Sequence, residues 1–417
     1  MPLKVRSSVG GSYDSNQIYY NISIVNNDED LVSPSSGILI GSPEPVQCSF
    51  SENRNNPYLN NPDDYFMSVI RFRVDSSTLP VFAPNPKKLQ DEPNKLIYTI
   101  TLSYKDIFVY YDVRFNPKLA MYELPPPVNP TKNNPYYYLN TYESFITMIN
   151  KCFVDVFAIL NTYALFHTPQ YILPTTIPPV LVWDNNTNKA TLYCDISNNA
   201  YDTNDDDAIK IYFNSPLYEL FSSFSAIRTV PTVFNNNPIN FDFGDRTGNY
   251  KLLIYDTGFN RRPAATGNNP GLSYDTIYLE QTYSTSPLWT PITSIVFTTG
   301  FLPVVPELTG LPKNIGTAQQ FASTGNNANI SNTLTDFEVG LTTGLEYKPV
   351  FQYAPPGEYR LVDLFGSNPL SNLEIKVFWK DEDGNLYPVT LGTKESANIK
   401  ILFRKKALYN TDLLYMN

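Results

Sequence analysis

The chain of 417 residues is acidic, with 40 Asp and Glu against 30 Lys and Arg, one histidine and three cysteines. A net charge of −10 argues against a protein that holds nucleic acid, because phosphate affinity rests on clustered Lys and Arg. Only 17% of the residues are charged, below the usual ~25%, while 31 Tyr, 35 Pro and much Asn, Ser and Thr take their place, the composition of strands joined by polar turns.

In chain order, residues 1–15 carry no apolar leader, which predicts a protein made without secretion. Strands are expected at 17–25, 65–74, 96–104 and 107–115. In Arg71-Phe72-Arg73-Val74 charge and apolar residues alternate, the period of a sheet with one wet face, and 96–104 alternates in the same way. The Pro-rich stretch 124–135 predicts a loop, since Pro cannot donate to a ladder. A helix is expected over about 141–160, where Phe145, Met148, Ile149, Cys152, Phe153, Val156, Phe157 and Leu160 form one apolar stripe. Asn140 and Glu143 have the spacing of its capping box.

Next come a hairpin of 180–184 with 190–195, a strand at 209–213 and a short helix opened by Pro216. Further strands are expected at 250–255, 276–283, 292–298, 334–339, 360–364, 373–380 and 398–404, with a Asp383-Gly384 turn before the last. About sixteen short strands suit an all-β chain of two eight-stranded jelly-roll sandwiches, or one jelly roll with a large β insertion. Divided by position, the expectation is an N-terminal β-rich domain over 1–230 and a C-terminal jelly-roll-like domain over 231–417.

Catalytic motifs are missing: the sequence has no nucleophile elbow, no HExxH and no phosphate-binding loop. His167 has no acidic neighbour or nucleophile motif close in sequence and reads as structural. Asp242-Phe243-Gly244-Asp245-Arg246 carries the letters of a kinase metal triplet without the loops that would give them meaning. Asp202, Asn204 and Asp206 stand at the first, third and fifth positions of a calcium loop, yet Asp207 and Phe213 occupy the positions that need Gly and Glu. The alternatives there are an irregular calcium site at a subunit contact and a solvated acidic turn. Cys48, Cys152 and Cys194 are far apart and odd in number, which predicts free thiols made in a reducing compartment and no zinc site. The basic run Arg404-Lys405-Lys406 reads as a solvated strand end. Tyr136-Tyr137-Tyr138 reads as core or subunit contact. No enzyme, no cofactor, no direct nucleic-acid partner and no membrane span are expected.

Several segments in fixed order carry a resemblance: the helix 142–157, the hairpin 180–195, IKIYFNSPLYELFSSF (209–224), YKLLIYD (250–256), SPLWTPITSIVFTTGFLPVVPEL (286–308), LEIKVFWKDEDGNLYPV (373–389) and SANIKILFRKK (396–406). Together they resemble the penton or minor capsid proteins of Polinton/Maverick-type elements, adintoviruses and virophages. In that group a strand is followed by an LxxLLGF-like helix and the last strand ends in FRRK-like residues. The likeness covers residues 142–406. It implies a jelly-roll structural protein of the virion, a penton or minor capsid subunit of an icosahedral shell assembled in the host cytoplasm or nucleus. Its implied partners are copies of itself, as a pentamer or trimer, and other capsid proteins. A major capsid protein with a double jelly roll and a glycan- or receptor-binding sandwich of a spike base are the alternatives.

Overall fold

A computed structural model of the chain describes residues 16–406 apart from 27–30, 33–38, 42–45, 76–78, 133, 230–248, 265–271, 306, 310–328, 339–349, 355–359, 383 and 393. Residues 1–15, the Asp242–Arg246 triplet and Asp383 of the expected turn lie outside the described residues. In chain order the main elements are β1 (Gln17–Val25), β2 (Ser49–Asn53), β3 (Tyr65–Asp75), β4 (Lys95–Tyr104), β5 (Ile107–Arg114) and α1 (Tyr142–Phe166). Then follow β6 (Val180–Asp184), β7 (Lys189–Asp195), β8 (Lys210–Asn214), α2 (Ser215–Leu220), β9 (Ala226–Thr229) and β10 (Asn249–Leu252). β11 (Arg261–Arg262), β12 (Thr276–Glu280), β13 (Ser294–Thr298), β14 (Thr333–Glu338) and β15 (Val350–Tyr353) come next. β16 (Val362–Asp363), β17 (Asn372–Lys380), β18 (Leu386–Pro388) and β19 (Ser396–Lys405) complete the chain. Among the described residues the strand total exceeds the expectation through pieces of two or three residues, β11, β16 and β18 among them.

These elements form two units, one built from Met1–Leu79 with Pro291–Asn417 and the other from Pro80–Thr290. The expected boundary at 230/231 is therefore wrong: it falls inside the second unit, between β9 and β10, which pair with each other. Position along the chain misleads because the first and last strands are partners, with Gln17 opposite Arg404 and Val25 opposite Ser396. The alternative of one sandwich with a large β insertion describes the connectivity.

The unit made from both chain ends has one sheet in the order β1-β19-β3-β15, with β16 also on β3, and another in the order β14-β13-β17-β18, with β2 on β17. Their inner faces meet through aromatic rings: Phe72 of β3 stands edge-on to Phe297 of β13 at 5.1 Å and lies 6.3 Å from Phe337 of β14. Along β3, Met67 and Val69 are buried and so are Phe72 and Val74, two sets that one alternation cannot align. A bulge resolves this. Arg71 faces Lys400 and Val69 faces Ile401, so Ile70 is the extra residue that resets the phase.

The inserted unit also carries two sheets, β9-β10-β8-β4-β5 and β11-β12-β7-β6. One continuous core runs from Val81 to Trp289, and Trp289 sits at its aromatic centre, 5.0 Å from Tyr142, 5.3 Å from Phe82 and 5.2 Å from Phe221. The wet face expected on β4 is covered instead: Thr99, Thr101 and Ser103 are buried. β4 is central, and larger rings on its neighbours shade the small side chains, with Thr101 lying between Tyr110 of β5 and Tyr212 of β8. Tyr136, Tyr137 and Tyr138 are core residues of the same unit.

Candidate assembly interface

α1 starts where the Thr141 hydroxyl accepts from the Ser144 amide at 3.3 Å, one residue later than the Asn140–Glu143 box predicts. Glu143 lies in the first turn, where a carboxylate suits the helix dipole, and accepts from the Asn185 amide at 2.5 Å. Every residue of the predicted stripe is buried. The side-chain amide of Asn150 brackets Leu181 of β6, accepting from its N–H at 2.7 Å and donating to its carbonyl at 2.8 Å. An open strand edge is a template for unwanted pairing, and here a helix side chain occupies it. α1 also packs along β5, so it closes the side of the inserted sandwich where both sheets end.

Beyond residue 160 the helix leaves its stripe. Leu165 is 50% exposed, and Phe166 and Ile172 are each 83% exposed. The base of this apolar end is fixed by polar and ring contacts. His167 stacks on Tyr171 at 4.1 Å, and its Nε2 lies 3.3 Å from an Asp106 carboxylate oxygen. The fold thus supplies the acidic neighbour that the local sequence lacks, and among the described residues no nucleophile accompanies it in contact with His167. Lys105, next to Asp106 in the β4–β5 turn, lies over the Tyr104 and Tyr171 rings and pairs with Asp207 at 3.4 Å. The Asp106 and Asp207 side chains border the apolar end and are 64% and 75% exposed.

The opposite edge of the four-stranded sheet is β11, and the turn before it displays Phe259, 92% exposed. That turn is tightly braced. The Asp256 carboxylate accepts from Gly258 N–H at 2.9 Å and pairs with Arg261, whose guanidinium holds the Asp256 carboxyl below its ordinary value. Asn260 accepts from the Thr257 N–H and hydroxyl and donates to the Tyr255 and Tyr278 carbonyls. Gly258 takes a φ of 75°, the conformation that favours glycine. Beside the turn, the Arg262 guanidinium lies 4.3 Å over the Tyr278 ring, and Tyr278 neighbours Tyr193 across the ladder. Among the described residues no carboxylate pairs with Arg262; its side chain donates to the Tyr278 hydroxyl and the Arg261 carbonyl. Sequence reasoning passed over Phe259 and Arg262, although Asp-Thr-Gly-Phe-Asn, a Phe set among turn formers, was the available signal.

Asp202, Asn204 and Asp206 sit on one acidic turn, but its carboxylates do not converge. Asp202 accepts from the Asn204 N–H at 2.9 Å and the Asp256 N–H at 3.4 Å, and Asp205 accepts from the Asp207 N–H at 2.9 Å. Lys210 occupies the cradle of carbonyls, donating to Asp202 O at 3.2 Å, to Thr203 O at 3.1 Å and to Asp205 O. Burial, with help from Lys251, lowers the pKa of that ammonium. Among the described residues no group of three or more His, Cys, Asp or Glu gathers as a metal site.

The profile of one family, Sputnik minor capsid protein V18/19, matches residues 18–405. The chain belongs to that family. Structural protein V19 of the Sputnik virophage is 25% identical over 238 residues, covering 54% of this chain and 94% of V19. Uncharacterized protein V18 of the same virophage is 30% identical over 119 residues, 26% of this chain and 70% of V18. Among solved structures, a chain of the Sputnik virophage particle determined by cryo-EM has a TM-score of 0.71 at 24% identity, covering 95% of this chain and 99% of its own. The mavirus penton protein crystal structure has a TM-score of 0.57 at 15% identity, covering 94% and 100%. The fold is therefore that of virophage jelly-roll capsid proteins, and this minor capsid protein is a structural component of the virion, not an enzyme.

The remaining features of the minor capsid protein fit a packed structural chain. In the basic run, Lys406 pairs with Asp363 at 3.1 Å and Asp63 at 3.8 Å, and Arg404 and Lys405 end the β19 ladder. All three cysteines are free and buried, and burial pushes the Cys48 thiol up to about 12. α1 is long and apolar enough to cross a membrane by length and composition, but its apolar stripe lies in the core.

Proposed function

We propose that this minor capsid protein is the penton of its shell, a ring of five copies at the five-fold vertices, seated among other capsid proteins and assembled inside the host cell, in the cytoplasm or nucleus. The observation that carries the reading is the likeness to the mavirus penton protein along 94% of this chain and the whole of that one. Free, buried cysteines suit assembly in a reducing interior. A closed ring also needs two different patches on each copy, and the inserted unit displays apolar residues at two opposite edges. Native mass spectrometry and electron microscopy of the purified protein test the proposal, with a pentameric ring expected. A trimer would point to a major shell subunit, and a protein that stays monomeric and never enters particles would end the structural-ring reading.

A further inference from the structure

The inserted unit is asymmetric in a way that matters for a ring. At the β11 edge, Phe259 projects from a braced turn beside Tyr278, Tyr193 and the guanidinium of Arg262, which has no carboxylate among the described residues. At the other end of the same sheet lies β6, covered by α1, whose C-terminal end presents Leu165 and Phe166 with Ile172 just beyond. Asp106 and Asp207 border that apolar end. One edge thus offers an aromatic knob with a cation, and the opposite edge an apolar bed with two exposed carboxylates around a single cation among the described residues, Lys105, which pairs with Asp207, so that negative charge is in excess there.

We infer that these two edges are the halves of one head-to-tail contact, so that the Phe259–Arg262 edge of each copy docks on the α1 C-terminal edge of the next. The occupant is a second copy of this chain. Charge complementarity selects it: Arg262 meets carboxylates that the chain itself displays, in a protein carrying ten more acidic than basic residues (40 − 30). Placement selects it too, since a heterologous contact that closes a ring joins two different patches of the same chain. The knob is suited to the task. Exposed aromatic and Arg anchors dominate binding energy where they enter a desolvated contact, and a turn already held by Asp256 and Asn260 loses little entropy on docking. Loops at the edge then determine the register while the sandwich supplies rigidity.

This inference rests on the ring reading, and one experiment separates their failures. Native mass spectrometry over a dilution series compares the wild type with Phe259→Ser, Arg262→Glu, the pair Asp106→Arg with Asp207→Arg, and a chain carrying Arg262→Glu together with that pair. Phe259, Asp106 and Asp207 are exposed and Arg262 is partly buried, and near-ultraviolet circular dichroism verifies that the Trp289 core is intact. Each of the first three variants is expected to weaken ring formation by about 30-fold or more, the size of a hot-spot loss, and the combined charge swap to restore it. Wild-type rings with variants that remain rings overturn the contact and leave the penton reading standing. Weakened rings that the swap does not restore overturn the pairing of these two edges. Intact variant rings that no longer enter shells assign the edges to other capsid proteins, which also overturns it. A wild type without rings defeats both.

Discussion

Asn214 makes three bonds with one amide. It accepts from the Thr99 N–H at 3.0 Å and the Leu217 N–H at 3.2 Å, and donates to the Ile97 carbonyl at 2.7 Å. The first and third continue the β8–β4 ladder past its last backbone pair, and the second caps α2. Asn214→Ala is expected to cost the inserted unit about 2–4 kcal/mol, a lost cap plus a buried strand amide left unpaired. Urea unfolding followed by near-ultraviolet circular dichroism measures this. Asn214→Ser, which can cap but is too short to reach β4, should recover only part of the loss. Lys210 shows the same economy of means. Because its ammonium already fills the carbonyl cradle of Asp202, Thr203 and Asp205, a chelator should leave wild-type melting unchanged, while Lys210→Met should lower stability by about 1–3 kcal/mol. A calcium-dependent rise in the wild-type melting temperature would overturn that account and restore the calcium loop. None of this was legible locally. Asn-rich stretches read as turns and Asp-rich ones as wet, because their partners are set by the fold, as far away as Ile97, 117 positions before Asn214.

At the level of elements, period was legible and phase changes were not. The stripe of α1 reads directly from its sequence, since one face of a helix repeats every 3.6 residues whatever it packs against. β3 is harder. Its second half alternates visibly, while its first half belongs to the other phase, and the bulge at Ile70 joins them. Deleting Ile70 should therefore be tolerated: Met67, Val69, Phe72 and Val74 then fall on one regular alternation, and the β19 ladder loses its irregularity. Deleting Ser68 is the contrasting case. It moves Tyr65 and Met67, 4% and 1% exposed, to the other face of β3, where Met67 takes the place of the small, buried Ser68, and it leaves their core positions unfilled at a cost of about 2–5 kcal/mol. Soluble yield and thermal melting of the two deletions give the comparison, and equal damage from both would show that Ile70 itself packs where it is needed. The edge roles of α1 and of the Phe259 turn escaped the sequence for a related reason. Periodicity reports which side of an element is buried, but not which strand edge it covers.

At the scale of the molecule, the all-β composition and the capsid resemblance pointed to paired sandwiches, and the error lay in cutting the chain into consecutive halves. An inserted unit is compatible with its host when its own ends lie together. Here they do: Phe82, near the start of the insert, and Trp289, near its end, are ring neighbours at 5.3 Å. The insert also carries a complete core with both sheets, α1 and α2, none of which borrows a strand from the other unit. The host unit is different, because β1 and β3 come from one side of the insert and β19, lying between them, comes from the other. Residues 80–290 expressed alone should thus fold cooperatively, with the near-ultraviolet signal of Trp183 and Trp289 in place. The full chain truncated before Ser396 should keep that signal while losing the host sandwich, because removing β19 takes Ile399, Ile401 and Phe403 out of the core, uncovers their β3 partners Phe72, Val69 and Met67, and separates β1 from its only sheet partner among the described residues. Hydrogen exchange separates the two units directly. Protection retained across 95–114 and 180–195 but lost across 65–75 and 372–380 is the expected pattern, and a uniform loss would mean that the insert depends on its host to fold.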